Sequence, residues 1–150
     1  MSSDINGLVA SSCNIGVMET LGDTIKISCM PRGVSNERAQ HTAEQIAALA
    51  NLCGAKLTLL QHGPAWPFNP ESDVLKFFTS YHTQLYGDEP KVTAMHGGLE
   101  CGIFADKLPD LDIVSFGPNM YDLHTQQERL SISSTEKTWV FLCGALGEMK

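Results

Sequence analysis

Lys91-Val-Thr-Ala-Met-His-Gly-Gly-Leu-Glu-Cys-Gly-Ile-Phe-Ala-Asp-Lys-Leu-Pro-Asp-Leu-Asp-Ile-Val-Ser-Phe-Gly117 is the stretch that decides the fold class. Lys91 to His96 reads as a strand and Gly97-Gly98 as a tight turn; a short helix then runs from Leu99 to about Lys107. Leu111-Asp-Ile-Val-Ser-Phe-Gly117 reads as the next strand. A strand–helix–strand crossover this compact is expected to be parallel and right-handed. Ligands of such sheets gather beyond the carboxyl ends of the strands. Those ends are His96-Gly97-Gly98 and the loop from Pro118 to His124, so periodicity places Gly98, Glu100 and His124 on one rim.

Helices flank this unit. On the N-terminal side Val74, Phe77, Phe78, Tyr81 and Leu85 recur at helical spacing, with Pro70 near the start and Gly87 at the stop. On the C-terminal side a capping box, Ser133-Ser-Thr-Glu136, opens a helix whose apolar stripe is Trp139, Leu142, Cys143 and Leu146. Further upstream, Gly63-Pro-Ala-Trp-Pro-Phe-Asn-Pro70 carries three prolines, which forbid regular helix and mark a linker. The block before it opens with strands Ile15-Gly-Val-Met-Glu-Thr20 and Thr24-Ile-Lys-Ile-Ser-Cys29, joined by the turn Leu21-Gly22-Asp23. Ile25, Ile27 and Cys29 alternate with polar residues, the period of a half-buried strand. A helix follows, N-capped by Ser35, with Ala39, Ala43, Ile46, Ala47, Ala50 and Cys53 on one stripe and Gly54 as its stop. Lys56-Leu-Thr-Leu-Leu60 reads as a third strand, so the block is ββαβ, an antiparallel sheet covered on one face by a helix.

Composition narrows the function. At 43% hydrophobic, 150 residues suffice for one ordinary core or two small ones. Seventeen Asp+Glu against ten Lys+Arg give a formal charge of -7, which leaves no basic face for nucleic acid or an anionic membrane. No stretch approaches the ~20 apolar residues of a membrane span. Met1-Ser-Ser-Asp-Ile-Asn-Gly7 has neither the basic nor the apolar region of a signal peptide. Five cysteines without a C-x-x-C pair fit neither a zinc knuckle nor a disulfide framework, so five free thiols and a reducing, cytoplasmic setting are expected.

Three residues stand out as candidates, each with a plainer reading beside it. His124 lies in Tyr121-Asp-Leu-His-Thr-Gln-Gln-Glu-Arg129, where a neutral imidazole at a sheet rim suits a zinc ion. It is equally a solvated loop histidine, and although Asp122 and Glu128 could join it, no H-E-x-x-H spacing is present. Gly98 beside Gly97 lets backbone amides approach a carboxylate, or simply makes a tight turn. Arg32, in Met30-Pro-Arg-Gly33, can hold a carboxylate with two parallel hydrogen bonds, or sit in a surface ion pair. His96 and Glu100 flank the glycines as outer partners of a site or as ordinary strand-end residues. Trp66, Phe77, Phe78 and Trp139 read as core.

Several segments in order resemble bacterial aminoacyl-histidine dipeptidases. They are Ser11-Ser-Cys-Asn-Ile-Gly16, Arg32 with Ser35-Asn-Glu-Arg38, and Trp66-Pro-Phe-Asn-Pro-Glu-Ser72. His96-Gly-Gly-Leu-Glu-Cys-Gly102, Ile113-Val-Ser-Phe-Gly-Pro118, His124 with Glu128-Arg129, and Ser134 with Glu136 continue the likeness across nearly all of the chain. The resemblance implies an α/β fold: residues 1–67 as the second half of a ββαβ lid and dimerisation domain, and 68–150 as the C-terminal, parallel βαβ-containing piece of a di-zinc catalytic domain. It implies that His124 is the last zinc ligand, that Arg32 grips the terminal carboxylate of the dipeptide, and that Gly98 offers a backbone contact to the same end.

On the same resemblance, a glutamate activates a water shared by two zinc ions and the hydroxide attacks the peptide carbonyl. The His-x-Asp motif, bridging aspartate, catalytic glutamate and remaining zinc ligand belong upstream of Met1, so no catalytic residue is expected in these 150 residues. One ligand does not hold a metal by itself. The expectation is therefore a zinc dipeptidase part that is inactive alone, forms homo-oligomers, and takes a dipeptide as substrate only within the whole enzyme. The competing reading is a non-catalytic dimerisation or ligand-binding module.

Overall fold

The computed structural model describes residues 7–60, 63–94 and 99–149. Eight elements follow in order: β1 (Ser11–Leu21), β2 (Thr24–Gly33), α1 (Asn36–Leu52), α2 (Asp73–Tyr86), α3 (Glu100–Lys107), β3 (Met120–Tyr121), β4 (Arg129–Leu130) and α4 (Ile132–Glu148). Helix and strand are mixed as expected, and both sheets are antiparallel pairs, β1 with β2 and β3 with β4. The chain divides into two units, Met1–Pro70 with Val92–Leu111 and Glu71–Lys91 with Asp112–Lys150.

In the first unit β1 and β2 form a hairpin with Leu21 opposite Thr24, leaving Gly22-Asp23 as the loop. Gly22 has φ 59, and a glycine with positive φ at the first central position is what a two-residue hairpin turn of type II′ requires. The register slips once between Ile15 and Val17, so Gly16 is the extra residue of a bulge. Val34 N–H donates to the Ala10 carbonyl at 2.9 Å and carries the pairing past the strand ends.

Helix α1 begins where the sequence says it should: Ser35 caps it, its hydroxyl accepting from Arg38 N–H at 3.4 Å. It ends in a Schellman arrangement, Gly54 at φ 65, with Gly54 N–H on the Asn51 carbonyl and Ala55 N–H on the Ala50 carbonyl. Its start packs tightly on β2. A Cβ on Gly33 would lie 2.6 Å from Ala39 N and 2.9 Å from the Ser35 carbonyl oxygen, so only glycine fits there. Asn36 Oδ1 accepts from Ala65 N–H at 2.7 Å and ties the proline-rich segment to this helix. Gly102 of α3 lies against the Pro64 backbone in the same way.

In the second unit α2 and α4 enclose a small aromatic core. Phe78, Phe141 and Ala145 are buried, with Val74, Phe77, Tyr81 and Val114 packed against them. The N-cap of α2 is the buried Ser72 rather than a residue at Pro70, and Gly87 at φ 83 closes it. Asp112 reinforces that end by accepting from Val74 N–H at 2.9 Å. These bonds to Val74 N–H and to the Ser72 hydroxyl hold the Asp112 carboxyl below its usual range. The cap of α4 is Ser131, whose hydroxyl accepts from Ser134 N–H at 3.3 Å, two residues before the expected capping box.

Several expectations need correcting. Residues 56–60, 91–94 and 111–117 carry no strand ladder, and the parallel βαβ pairing is not formed among the described residues. A strand exists only with a hydrogen-bonded neighbour, and none of these segments has one among the described residues. In α4 the buried face runs through Phe141 and Ala145, while Trp139, Cys143 and Leu146 are exposed. From Trp139 to Leu146 that helix is apolar or glycine at every position, so its periodicity did not single out a face. On β2, Ile25 and Ile27 are 64% and 52% exposed, so the alternation did not mark a buried face. All five thiols are free as expected, but four are exposed and Cys101 is half-buried, so they are not core residues.

Candidate functional site

The loop that carries His124 is held by several bonds of its own. Met120 pairs with Leu130 and Tyr121 with Arg129, so the two-residue strands β3 and β4 clamp its base. Asp122 has φ 52 and His124 φ 64, and no other non-glycine residue among those described has positive φ. Each such backbone costs on the order of 1–3 kcal/mol and persists only where neighbours over-determine it.

The neighbours do so. Arg129 forms an ion pair with the Asp122 carboxylate, while its guanidinium carbon lies 5.1 Å from the Tyr121 ring centroid. Thr125 turns back on Asp122: its N–H and its hydroxyl both donate to the Asp122 carbonyl, at 3.2 and 2.7 Å. That hydroxyl also accepts from Gln127 N–H at 3.1 Å, and Glu128 N–H donates to the Thr125 carbonyl at 3.2 Å. Finally the Glu128 carboxylate accepts from His124 N–H at 2.8 Å. Asp122 and Glu128, the carboxylates nearest to His124 in sequence, are thereby engaged in holding the loop.

His124 itself is exposed, and its ring nitrogens have no hydrogen-bond partner among the described residues. An imidazole with open nitrogens suits one position of a zinc shell. The donor set goes no further, because no group of three or more His, Cys, Asp or Glu gathers to hold a metal among the described residues.

Arg32 lies on β2 opposite Ser12 in the first unit. Its Nη2 donates to the Met30 sulfur at 3.3 Å. It is exposed and makes no ion pair among the described residues, so the surface-salt-bridge alternative is not realised there. Gly98 and His96 lie outside the described residues. Glu100 is the first residue of α3 and is exposed; it has no hydrogen-bond or ion-pair partner among the described residues, and Leu99 caps the helix without a side-chain bond. Sequence reasoning missed the tie between Glu128 and His124. The only available signal was an acid four residues after a loop histidine, a spacing shared by many unrelated loops.

Comparison with known proteins gives the chain a relationship. No family profile matches it. It is 29% identical over 149 residues to the cytosol non-specific dipeptidase of Escherichia coli strain K12, covering 99% of this chain and 31% of that one. Its fold matches the crystal structure of the aminoacylhistidine dipeptidase from Vibrio alginolyticus with a TM-score of 0.81 and 27% identity, covering all of this chain and 31% of that one. No helix among the described residues is long and apolar enough to cross a membrane. By sequence and by structure the chain is a homologue of these dipeptidases, and it spans about a third of the length of the relatives it matches.

Proposed function

We propose that this chain is the C-terminal part of a cytoplasmic, zinc-dependent dipeptidase that hydrolyses dipeptides ending in histidine. The observation that carries the reading is the likeness to two dipeptidases along essentially the whole chain, at a TM-score of 0.81 for one of them. In this reading residues 1–67 form the second half of the lid, through which the enzyme dimerises, and residues 68–150 complete the catalytic domain. His124 is the last zinc ligand. Arg32, free of acidic partners among the described residues, binds the substrate carboxylate through its planar guanidinium, and Gly98 adds a backbone contact.

Bound zinc lowers the pKa of a coordinated water to ~7, which makes hydroxide available near neutral pH. This chain contributes the open imidazole of His124 and the carboxylate grip of Arg32. The general base and the other ligands come from residues outside it, so the chain alone is inactive.

The test is hydrolysis of an Xaa-His dipeptide, with and without chelator, by the 150-residue chain and by the chain preceded by its upstream reading frame. Chelator-sensitive turnover is expected from the longer protein only. Turnover by the shorter chain overturns the assignment of its missing groups. A stop codon directly upstream, in place of an in-frame His-x-Asp and Glu-Glu, favours the non-catalytic dimerisation or ligand-binding module.

A further inference from the structure

The loop between β3 and β4 forces His124 into a left-handed backbone, φ 64, that side-chain-bearing residues rarely adopt. Of its other ties, the Arg129–Asp122 pair and the two Thr125 donors converge on Asp122, while Gln127 N–H and Glu128 N–H close on Thr125. Among the described residues one hydrogen bond reaches His124 itself: its N–H donates to Glu128 Oε2 at 2.8 Å. No backbone carbonyl takes that amide among the described residues, as its geometry at the loop apex makes it face the loop's own downstream side chain.

We infer that Glu128 is a positioning residue that fixes the backbone of His124, and with it the direction of the Cα–Cβ bond that carries the imidazole, without itself binding the metal. The inference rests on the reading of His124 as a zinc ligand. Its logic follows from the geometry. A carboxylate four residues downstream replaces the missing carbonyl partner of the apex amide. The histidine then enters any metal shell with its backbone already set, and loses less freedom on ligation. Each oxygen of the Glu128 carboxylate carries two lone pairs, so the bond to His124 N–H does not by itself exclude a ligand role, and the Glu128→Gln variant tells the two roles apart.

The experiment compares Glu128→Ala with Glu128→Gln, which keeps an acceptor oxygen. In the isotope-labelled 150-residue chain, amide exchange of His124 and its intraresidue HN–Hα cross-peak, which is strong only at positive φ, report the lock directly. Glu128→Ala is expected to speed His124 exchange about tenfold and weaken the cross-peak, while the amides of α2 and α4 are unchanged; Glu128→Gln should restore both. In the zinc-loaded longer enzyme, metal affinity should fall about 10–100-fold for Glu128→Ala, the range typical of outer partners of a ligand, and recover in Glu128→Gln. Unchanged exchange and cross-peak in Glu128→Ala overturn the inference. So does lost zinc affinity that Glu128→Gln does not restore, because Glu128 would then be a ligand. If the lock behaves as stated but His124→Ala keeps both zinc ions, the positioning of His124 stands and the metal reading fails.

Discussion

Replacing Phe141 by alanine is the sharpest test of how the second unit is held together. Phe141 is 8% exposed, and its ring centroid lies 5.8 Å from Phe78, 5.5 Å from Tyr81, 5.8 Å from His82 and 5.3 Å from Phe116. It meets rings from both α2 and the segment ahead of β3. Phe→Ala changes in cores cost about 3–5 kcal/mol, the transfer loss plus the cavity left behind. Among the described residues the buried cluster is Phe78, Phe141 and Ala145, so solvent can enter part of the hole and the low end, about 3 kcal/mol, is expected. Phe141→Leu keeps most of the volume and loses only ring-specific contacts, so about 1–1.5 kcal/mol is expected. At about 0.05–0.15 kcal/mol per residue, a unit this small has only a few kcal/mol of stability, and the alanine variant should be partly unfolded at room temperature. Urea titration followed by far-ultraviolet circular dichroism, with amide exchange separating α2 and α4 from α1, measures both variants. A cost below about 1 kcal/mol for alanine, or equal costs for alanine and leucine, would refute the idea that this ring cluster is the core.

Gly33→Ala should destabilise the first unit by the upper part of the ~1–3 kcal/mol range for overpacking, because the atoms in the way are backbone atoms of α1 and its cap; an unshifted melting midpoint of α1 amides counts against this. The bonds that lower the Asp112 pKa stabilise the second unit above the ordinary carboxyl value of 3.8, and that contribution is lost as pH falls below it. Asp112→Asn should therefore narrow the stability difference between about pH 6 and about pH 3, and an unchanged difference would assign the acid lability elsewhere. In the longer enzyme Arg32→Ala should raise KM by about 10–100-fold with a smaller change in kcat, whereas His124→Ala should lose zinc and turnover together; steady-state kinetics with metal analysis separates the two.

What could be read from the sequence is what is decided within a few residues. Ser35 and Gly54 bound α1 because a hydroxyl reaches an amide three residues on and a glycine accepts positive φ, and both signals are local. The hairpin of β1 and β2 follows from Gly22-Asp23 for the same reason. Caps shifted where two candidates lay close together: Ser131 displaced Ser133, and Ser72 took the end that Pro70 suggested. The face of α4 was not legible, since its choice depends on Gly144 and Ala145 letting α2 come near; a Cβ on Gly144 would strike the Tyr81 hydroxyl. His124 was legible as a loop histidine. Its left-handed backbone and its bond to Glu128 were not, because neither leaves a pattern in residue types.

The strands that did not form and the loop that did are two sides of one distinction. Residues 111–117 carry Leu111, Ile113, Val114 and Phe116, a sequence suited to a buried parallel strand, yet they have no ladder. A ladder takes half of its hydrogen bonds from another segment, and under the proposed function that segment lies in the remainder of the enzyme. A few residues later the chain bonds itself fully, with β3, β4, Arg129, Thr125 and Glu128 all acting within an eleven-residue stretch from Met120 to Leu130. The His124 loop is thus encoded locally, whereas the sheet that the proposed function places beside it is encoded across the whole protein. If that is correct, adding the missing part in trans should protect the amides of residues 111–117 and leave those of the His124 loop at their existing rates.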